Sequence, residues 1–134
     1  DILFARSGAT AGKTYLFDED IKACFAGYLI KAQVSSKLLP RYLMYYTRSG
    51  IYDQWRNSIF IQATIQNIGA DKYANLRIPL PTIDEQETIV SYLDAETIKI
   101  DRVLDAHKHQ ISLLQERKQI IINDVVTGKV KVTN

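Results

Sequence analysis

Polar stretches within the first 81 residues carry side chains of the types that contact DNA. Arginine and lysine pair with phosphates or guanine, glutamine and asparagine pair with adenine, and small hydroxyls bind phosphate oxygens. These residue types alone leave a protein-interaction module open as well. Under the DNA-binding hypothesis, the predicted phosphate contacts are Arg6, Lys13, Arg56 and Lys72. The predicted base-edge contacts are Gln62, Gln66 and Asn67, and the predicted DNA-binding set is completed by Ser7, Thr10 and Asn57.

A glycine-rich segment, Gly8-Ala9-Thr10-Ala11-Gly12-Lys13-Thr14, looks superficially like a phosphate-binding loop. That loop needs four residues between its glycines and a helix directly after it, whereas here three residues separate the glycines. The segment therefore predicts a turn with both glycines at positive φ. A nucleotide-binding enzyme is the weaker alternative, which micromolar ATP binding in a calorimetric titration would revive.

The histidines and the single cysteine give no sign of a catalytic or metal centre. His107 and His109 are two residues apart on a predicted helix, so they point in different directions and cannot hold one ion. Cys24 has no histidine near it in sequence and no cluster of basic residues to activate its thiol, and it is expected in the core. We therefore expect no enzyme activity, no metal and no cofactor.

Composition favours a globular protein of the reducing cytoplasm. The 134 residues are 46% hydrophobic and 24% charged, with a net charge of +2 and one cysteine. The longest apolar runs fall far short of the roughly 20 residues that cross a bilayer. Residues 1–81 hold ten basic and six acidic residues, whereas residues 82–134 hold seven and nine. This contrast suggests two surfaces with different partners.

The first part of the chain is expected to be mostly antiparallel β-structure with one or two helices. The pattern predicts strands at residues 2–6, 13–17, 25–34 and 59–68. A helix should begin near Pro40, and a further turn or two should cover residues 51–56. Residues 76–81 should be extended because of their prolines. The predicted fold class is α+β.

Thr82 is the clearest boundary, because Thr82 and Glu85 have the spacing of a capping box. We predict a helix to about Asp94, a kink near residues 94–97, and a longer helix ending near Thr127, before Gly128 and a strand-like tail at 129–133. The predicted domains are residues 1–81, a β-rich domain, and residues 82–134, a helical region with a short C-terminal tail.

The longer helix carries apolar residues with heptad spacing. A stripe about 38 Å long is difficult for this chain to cover by itself, so we expect a partner helix. The alternative is an amphipathic helix lying on its own domain. The predicted helix-pairing residues are Ile100, Leu104, His107, Ile111, Leu114, Lys118, Ile121 and Val125.

The sequence resembles the DNA-specificity subunit of type I restriction–modification systems. The stretches that carry the resemblance are residues 1–13, residues 62–81 ending in Leu76-Arg77-Ile78-Pro79-Leu80-Pro81, and Glu85-Gln86 followed by the long helix and Val126-Thr127-Gly128-Lys129. The passage from Pro79-Leu80-Pro81 to Glu85-Gln86 is the most specific part. The alternative that does not rely on the resemblance is a coiled-coil scaffold or protein-interaction module without nucleic-acid binding.

The resemblance implies a non-catalytic subunit that reads one half of a split target in double-stranded DNA. This chain would be the later part of one target recognition domain plus one spacer helix. The helix would pair with a second spacer helix, from a missing half or a second copy of the chain, and would dock modification methyltransferase subunits. Catalysis would lie in those subunits and in a restriction or translocase subunit.

Overall fold

The computed structural model describes residues 1–19, 21–61 and 67–132. Three short strands are assigned in that part of the chain, β1 (Ile2–Ala5), β2 (Thr14–Leu16) and β3 (Leu29–Ala32). They form an antiparallel sheet in the order β2-β1-β3. The helices are α1 (Pro40–Tyr46), α2 (Gly50–Ile61), α3 (Ala70–Ala74) and α4 (Ile83–Val126). The α+β fold class predicted from sequence is confirmed.

One face of the sheet is buried, and alternate residues of β1 lie on it. Ile2 and Phe4 are buried on that face and pack with Leu43 of α1. Leu16 of β2 and Ile30 of β3 pack against the same cluster. The residue between them on β1, Leu3, belongs to the opposite face, as the two-residue repeat of a strand requires. The core that supports β1 is therefore built by the sheet together with α1.

Two expectations in residues 25–68 are corrected. The predicted strand 25–34 shortens to Leu29–Ala32, because a turn in which the Leu29 amide donates to the Ala26 carbonyl precedes it. The predicted strand 59–68 is wrong at residues 59–61, which form the end of α2. The reason is a helical repeat, since Tyr52, Trp55 and Ile59 recur at three- and four-residue spacing. Residues 62–66 of that predicted strand lie outside the described part.

The capping box at the start of α4 is confirmed. The Glu85 carboxylate accepts hydrogen bonds from the Thr82 amide and from the Thr82 hydroxyl, both at 2.8 Å. The Glu85 amide in turn donates to the Thr82 hydroxyl oxygen at 3.4 Å. These contacts lower the pKa of the Glu85 carboxyl below its ordinary value. The reciprocal bonds satisfy amides that a helix start leaves open.

The expected end of a first helix near Asp94 is wrong, because α4 runs without a break from Ile83 to Val126. The kink near residues 94–97 stays a prediction. Neither glycine nor proline interrupts this stretch, and Ala95 and Glu96 are good helix formers. The Thr97 hydroxyl donates to the Leu93 carbonyl at 2.7 Å, so it stays within the helix. The expected end is confirmed, since Gly128 follows with φ +75°. No strand is assigned at residues 129–132, so the strand-like tail is wrong in its described portion, and Thr133 lies outside it.

The chain divides into two compact units, Asp1–Tyr92 and Leu93–Asn134. The first unit holds the sheet, the three short helices and the first turns of α4. The functional boundary predicted at residue 82 stays a prediction. The expectation that Cys24 lies in the core is wrong, because it sits in an exposed run from Ile21 to Tyr28. Within the described residues, no helix is both long and apolar enough to cross a lipid bilayer.

Candidate nucleic-acid interface

The glycine turn, residues 7–12, connects β1 to β2. Gly8 and Gly12 have φ of +79° and +85°, as the sequence predicts. The Gly12 amide donates to the Ala5 carbonyl at 2.8 Å and the Ala11 amide donates to the Gly8 carbonyl at 2.9 Å. Gly8, Ala9 and Thr10 are exposed, whereas Ala11 and Gly12 are buried. The tip of the turn therefore faces solvent while its return into β2 is packed.

Helix α2 supports the buried end of this turn. The Tyr52 hydroxyl donates to the Gly12 carbonyl at 2.7 Å. The Arg56 side chain occupies the space where a Cβ on residue 12 would lie. Arg56 Nη2 forms an ion pair with Asp53 Oδ1 at 3.0 Å, and its Nε is buried without a hydrogen-bond partner among the described residues. Two residues of α2 therefore contact the glycine turn, which lies about 40 residues earlier in the sequence.

Aromatic side chains complete the support beneath the turn. Tyr73 donates its hydroxyl proton to the Ala5 carbonyl at 3.1 Å. Its ring lies 4.5 Å from Phe4 and 5.7 Å from Trp55, measured between centroids. Burial raises the pKa of Tyr73 to about 12. Burial is also the main reason why the pKa of the Tyr52 hydroxyl rises. Both hydroxyls are therefore neutral hydrogen-bond donors at physiological pH.

A third stretch of sequence joins the glycine turn from its other side. Ser7 and Asn67 form an isolated antiparallel bridge, and the Ile68 amide donates to the Arg6 carbonyl at 2.7 Å. Ile68 is fully buried, whereas Asn67 is exposed. The buried isoleucine anchors the strand-like pairing, and the neighbouring asparagine is left at the surface beside the turn.

The structure thus brings together predicted DNA-binding residues from three separate stretches. The turn and its flanks hold Arg6, Ser7, Thr10 and Lys13. Arg56 lies beneath the turn, and Asn67 lies beside Ser7. Asn57 is exposed in α2 and Lys72 is exposed in α3. Gln62 and Gln66 lie outside the described residues. The turn leads into strand β2, so no helix follows it directly to supply phosphate-binding amides.

One buried residue that sequence reasoning did not select is Gln86. Its side chain is fully buried, and its amide nitrogen donates to the Lys37 and Pro81 carbonyls, each at 2.9 Å. Its amide oxygen accepts from the Leu39 amide at 2.9 Å. This side chain joins the first turn of α4 to the segment before α1. The only signal in the sequence was its place in the Glu85-Gln86 pair, which does not indicate burial.

The second unit contains most of α4. The eight predicted helix-pairing residues, which together form the seam of this helix, are all exposed. Leu114 is 64% exposed, and Ile100, Leu104, Ile111, Ile121 and Val125 are also exposed. The two polar positions are exposed as well, and His107 Nδ1 lies 3.3 Å from Gln110 Oε1. Lys118 is the other polar position of the seam. Apolar side chains outside the seam, including Leu113 and Ile122, are exposed too. Among the described residues, no group of three or more histidines, cysteines and acids is placed to hold a metal ion.

Comparison with known proteins agrees with the resemblance. The chain is 23% identical over 131 residues to the type I restriction enzyme StySPI specificity subunit of Salmonella potsdam, covering 96% of this chain and 28% of that protein. The EcoKI specificity subunit of Escherichia coli strain K12 is 22% identical over 132 residues, with coverage of 96% and 28%. The MjaVIII specificity subunit of Methanocaldococcus jannaschii is 25% identical over 100 residues, covering 75% and 23%.

The chain spans about a quarter of the length of these curated relatives. No solved structure gives a significant match. The family model described as the type I restriction modification DNA specificity domain matches residues 1–119, which is most of the chain. The chain therefore belongs to the family of type I restriction–modification DNA specificity domains.

Proposed function

We propose that this chain is a non-catalytic DNA-recognition module of a type I restriction–modification complex, and that it reads one half of a split target in double-stranded DNA. The observation that carries the proposal is the family match over residues 1–119. The convergence of three polar stretches on the glycine turn supports it, because these stretches carry the side-chain types that bind DNA.

The exposed tip of the glycine turn is the proposed DNA-contacting surface. Thr10 is exposed at the tip, Lys13 is exposed directly after the turn, and Arg6 lies directly before it. These groups and Lys72 would contact phosphates and set the register on the duplex. Asn67 is exposed beside Ser7 and would contact a base edge, as amide side chains do with adenine. Gln62 and Gln66 stay predicted base contacts.

The exposed seam of α4 is the proposed assembly surface. It would pair with a second spacer helix, from another segment of the subunit or a second copy of this chain, and would dock modification methyltransferase subunits. A restriction or translocase subunit would join through that assembly. The supporting observation is that the six aliphatic seam residues are all exposed, an arrangement typical of a surface that becomes buried in a partner.

DNA binding is tested by the salt dependence of the affinity. The chain, alone and co-purified with type I modification methyltransferase subunits, is used to select binders from duplexes with a randomised core. Each phosphate contact contributes about −0.9 to the slope of log K against log salt concentration. Arg6→Ala combined with Lys13→Ala should make that slope shallower by about 1.8.

Lys99→Ala combined with Lys108→Ala is the matched control. It removes the same charge from exposed positions of α4, where each lysine pairs with an acid three residues earlier. Its slope should match that of the unmodified chain. A flat salt dependence, or an equal change in both double variants, contradicts the phosphate assignment. If neither the chain alone nor its complex with methyltransferase subunits binds any duplex, the scaffold alternative is favoured.

Helix pairing is tested with neighbouring leucines. Leu114 lies in the seam and Leu113 lies outside it, yet both are exposed. Leu114→Asp should abolish association with a second copy and co-purification with the methyltransferase subunits, as measured by light scattering and pull-down. Leu113→Asp introduces the same charge one residue away and should leave both intact. Equal effects of the two substitutions would contradict the seam.

A further inference from the structure

Arg56 differs from the other predicted phosphate contacts in its surroundings. Its side chain is 26% exposed, and its Nε is buried. Its Cγ and Cδ lie against Gly12, and its Nη2 is paired with Asp53 at 3.0 Å. Lys13, by contrast, is exposed at the end of the same turn.

We infer that Arg56 is a positioning residue, which holds the glycine turn in shape and acts on DNA through Arg6 and Lys13 instead of touching a phosphate itself. The inference rests on the proposed DNA-binding function. An arginine that binds phosphate directs its guanidinium N–H groups at the phosphate oxygens. Here the stem fills the space beneath Gly12, Nε is enclosed, and Nη2 is committed to Asp53.

The support has a physical basis in the geometry of the turn. Residue 12 is a glycine at φ +85°, so its backbone lies open on the side where a side chain would otherwise pack. The aliphatic part of Arg56 fills that space, and the ion pair one helical turn back fixes where the side chain lies. Together with Tyr52, which bonds the Gly12 carbonyl, Arg56 links the turn to helix α2. The turn then holds the backbone at Arg6 and Lys13 in one arrangement, which lowers the entropy cost of ordering the turn on DNA.

The first test needs no DNA. Amide exchange is followed by NMR at Ala11 and Gly12, whose amides are bonded within the turn. Arg56→Ala should speed this exchange roughly tenfold, because it removes the stem. Arg56→Met keeps an unbranched stem and removes the charge, so its exchange rates should stay closer to those of the unmodified chain. Unchanged exchange in Arg56→Ala, or equal acceleration in both variants, overturns the support.

The second test is a double-mutant cycle on DNA affinity. Arg56→Ala is measured in the unmodified chain and in the Arg6→Ala, Lys13→Ala background. If Arg56 acts through those two residues, it weakens binding in the first background and changes nothing further in the second. The same fold loss in both backgrounds would assign Arg56 to a phosphate contact and overturn the inference.

Thermal unfolding of every variant separates loss of the fold from loss of position. Variants are compared only where their unfolding curves match, and Arg56→Met provides a second substitution should Arg56→Ala unfold. A chain that binds no duplex refutes the proposed function, whereas the exchange measurement still decides whether Arg56 supports the turn. The two failures are therefore distinguishable.

Discussion

The Tyr52 hydroxyl donates a 2.7 Å hydrogen bond to the carbonyl oxygen of Gly12, across 40 residues of sequence. Tyr52 is fully buried, so this bond ties the middle of the chain to the turn between the first two strands. The same helix contributes Arg56 beneath that glycine. The glycine turn is thus held by tertiary contacts as well as by its own backbone hydrogen bonds.

Removing this hydroxyl should destabilise the first unit. Tyr52→Phe leaves the buried Gly12 carbonyl without its partner, which costs about 1–3 kcal/mol. Urea unfolding followed by circular dichroism measures the change. Tyr15→Phe is the matched control, since Tyr15 is 57% exposed, and it should change the free energy of unfolding by less than about 0.5 kcal/mol. Equal losses for the two variants would mean that the bond adds no stability.

The two glycines of the turn should respond differently to substitution. Gly8→Ala places a Cβ in open space but keeps a positive φ, so it should cost about 1–2 kcal/mol. Gly12→Ala has the same backbone penalty and also drives its Cβ into the Arg56 side chain. It should therefore destabilise the protein more, as measured by urea unfolding.

Combining Gly12→Ala with Arg56→Ala identifies the source of that difference. If the steric contact with Arg56 is responsible, the double variant recovers part of the stability lost in Gly12→Ala, because the small side chain makes room. Strictly additive losses would attribute the penalty to the backbone alone.

The buried amide of Gln86 should be among the most sensitive positions of the first unit. Gln86→Ala removes three hydrogen bonds and strands the Leu39 amide and the carbonyls of Lys37 and Pro81. A buried group left unpaired costs about 1–3 kcal/mol. These three bonds are partly buried, so we expect a total loss of about 2–3 kcal/mol.

Gln115→Ala is the control on the same helix, because Gln115 is exposed, and its effect should stay within about 0.5 kcal/mol. Chemical unfolding monitored by tryptophan fluorescence compares the two. A loss of similar size at both positions would show that Gln86 contributes only helix propensity.

Stability should fall in alkaline solution as the buried tyrosines ionise. Burial raises the pKa of Tyr73 to about 12 and raises that of Tyr52 as well. Since a tyrosine in the unfolded chain titrates near pH 10, the neutral hydroxyls favour the fold fully below about pH 10, and this contribution is lost as the pH rises toward the folded-state pKa values.

Urea unfolding at a series of pH values above neutrality measures this decline. Tyr73→Phe removes one of the titrating groups, so its free energy of unfolding should decline less steeply with pH, although it starts lower because the bond to Ala5 is gone. An unchanged slope in Tyr73→Phe would exclude that hydroxyl as a source of the pH dependence.

Features that depend on neighbouring residues followed from the sequence. The turn with positive φ at Gly8 and Gly12, the start of α1 at Pro40 and the capping box of Thr82 with Glu85 were all predicted. Each rests on backbone preferences or on side chains three residues apart, which distant contacts do not alter. The family resemblance likewise rests on short stretches in a fixed order, and the family match confirms it.

Features that depend on packing did not follow. Residues 59–61 alternate as a strand would, yet they form the end of α2, whose residue Tyr52 is fully buried. Helical and strand repeats cannot be separated over so short an apolar run, and tertiary contacts decide between them. The expected helix end near Asp94 failed for a different reason, because no residue there breaks a helix that begins with a strong cap.

The sequence by itself determined which chemistry is present: a glycine turn, basic and amide side chains that suit DNA, and an apolar seam on a long helix. Only the tertiary structure decided which of those residues meet. It paired Ser7 with Asn67, enclosed Arg56 beneath Gly12 and buried Gln86 between two segments far apart in the chain. The physical reason is that long-range contacts depend on how several apolar faces are buried together, which no local pattern records.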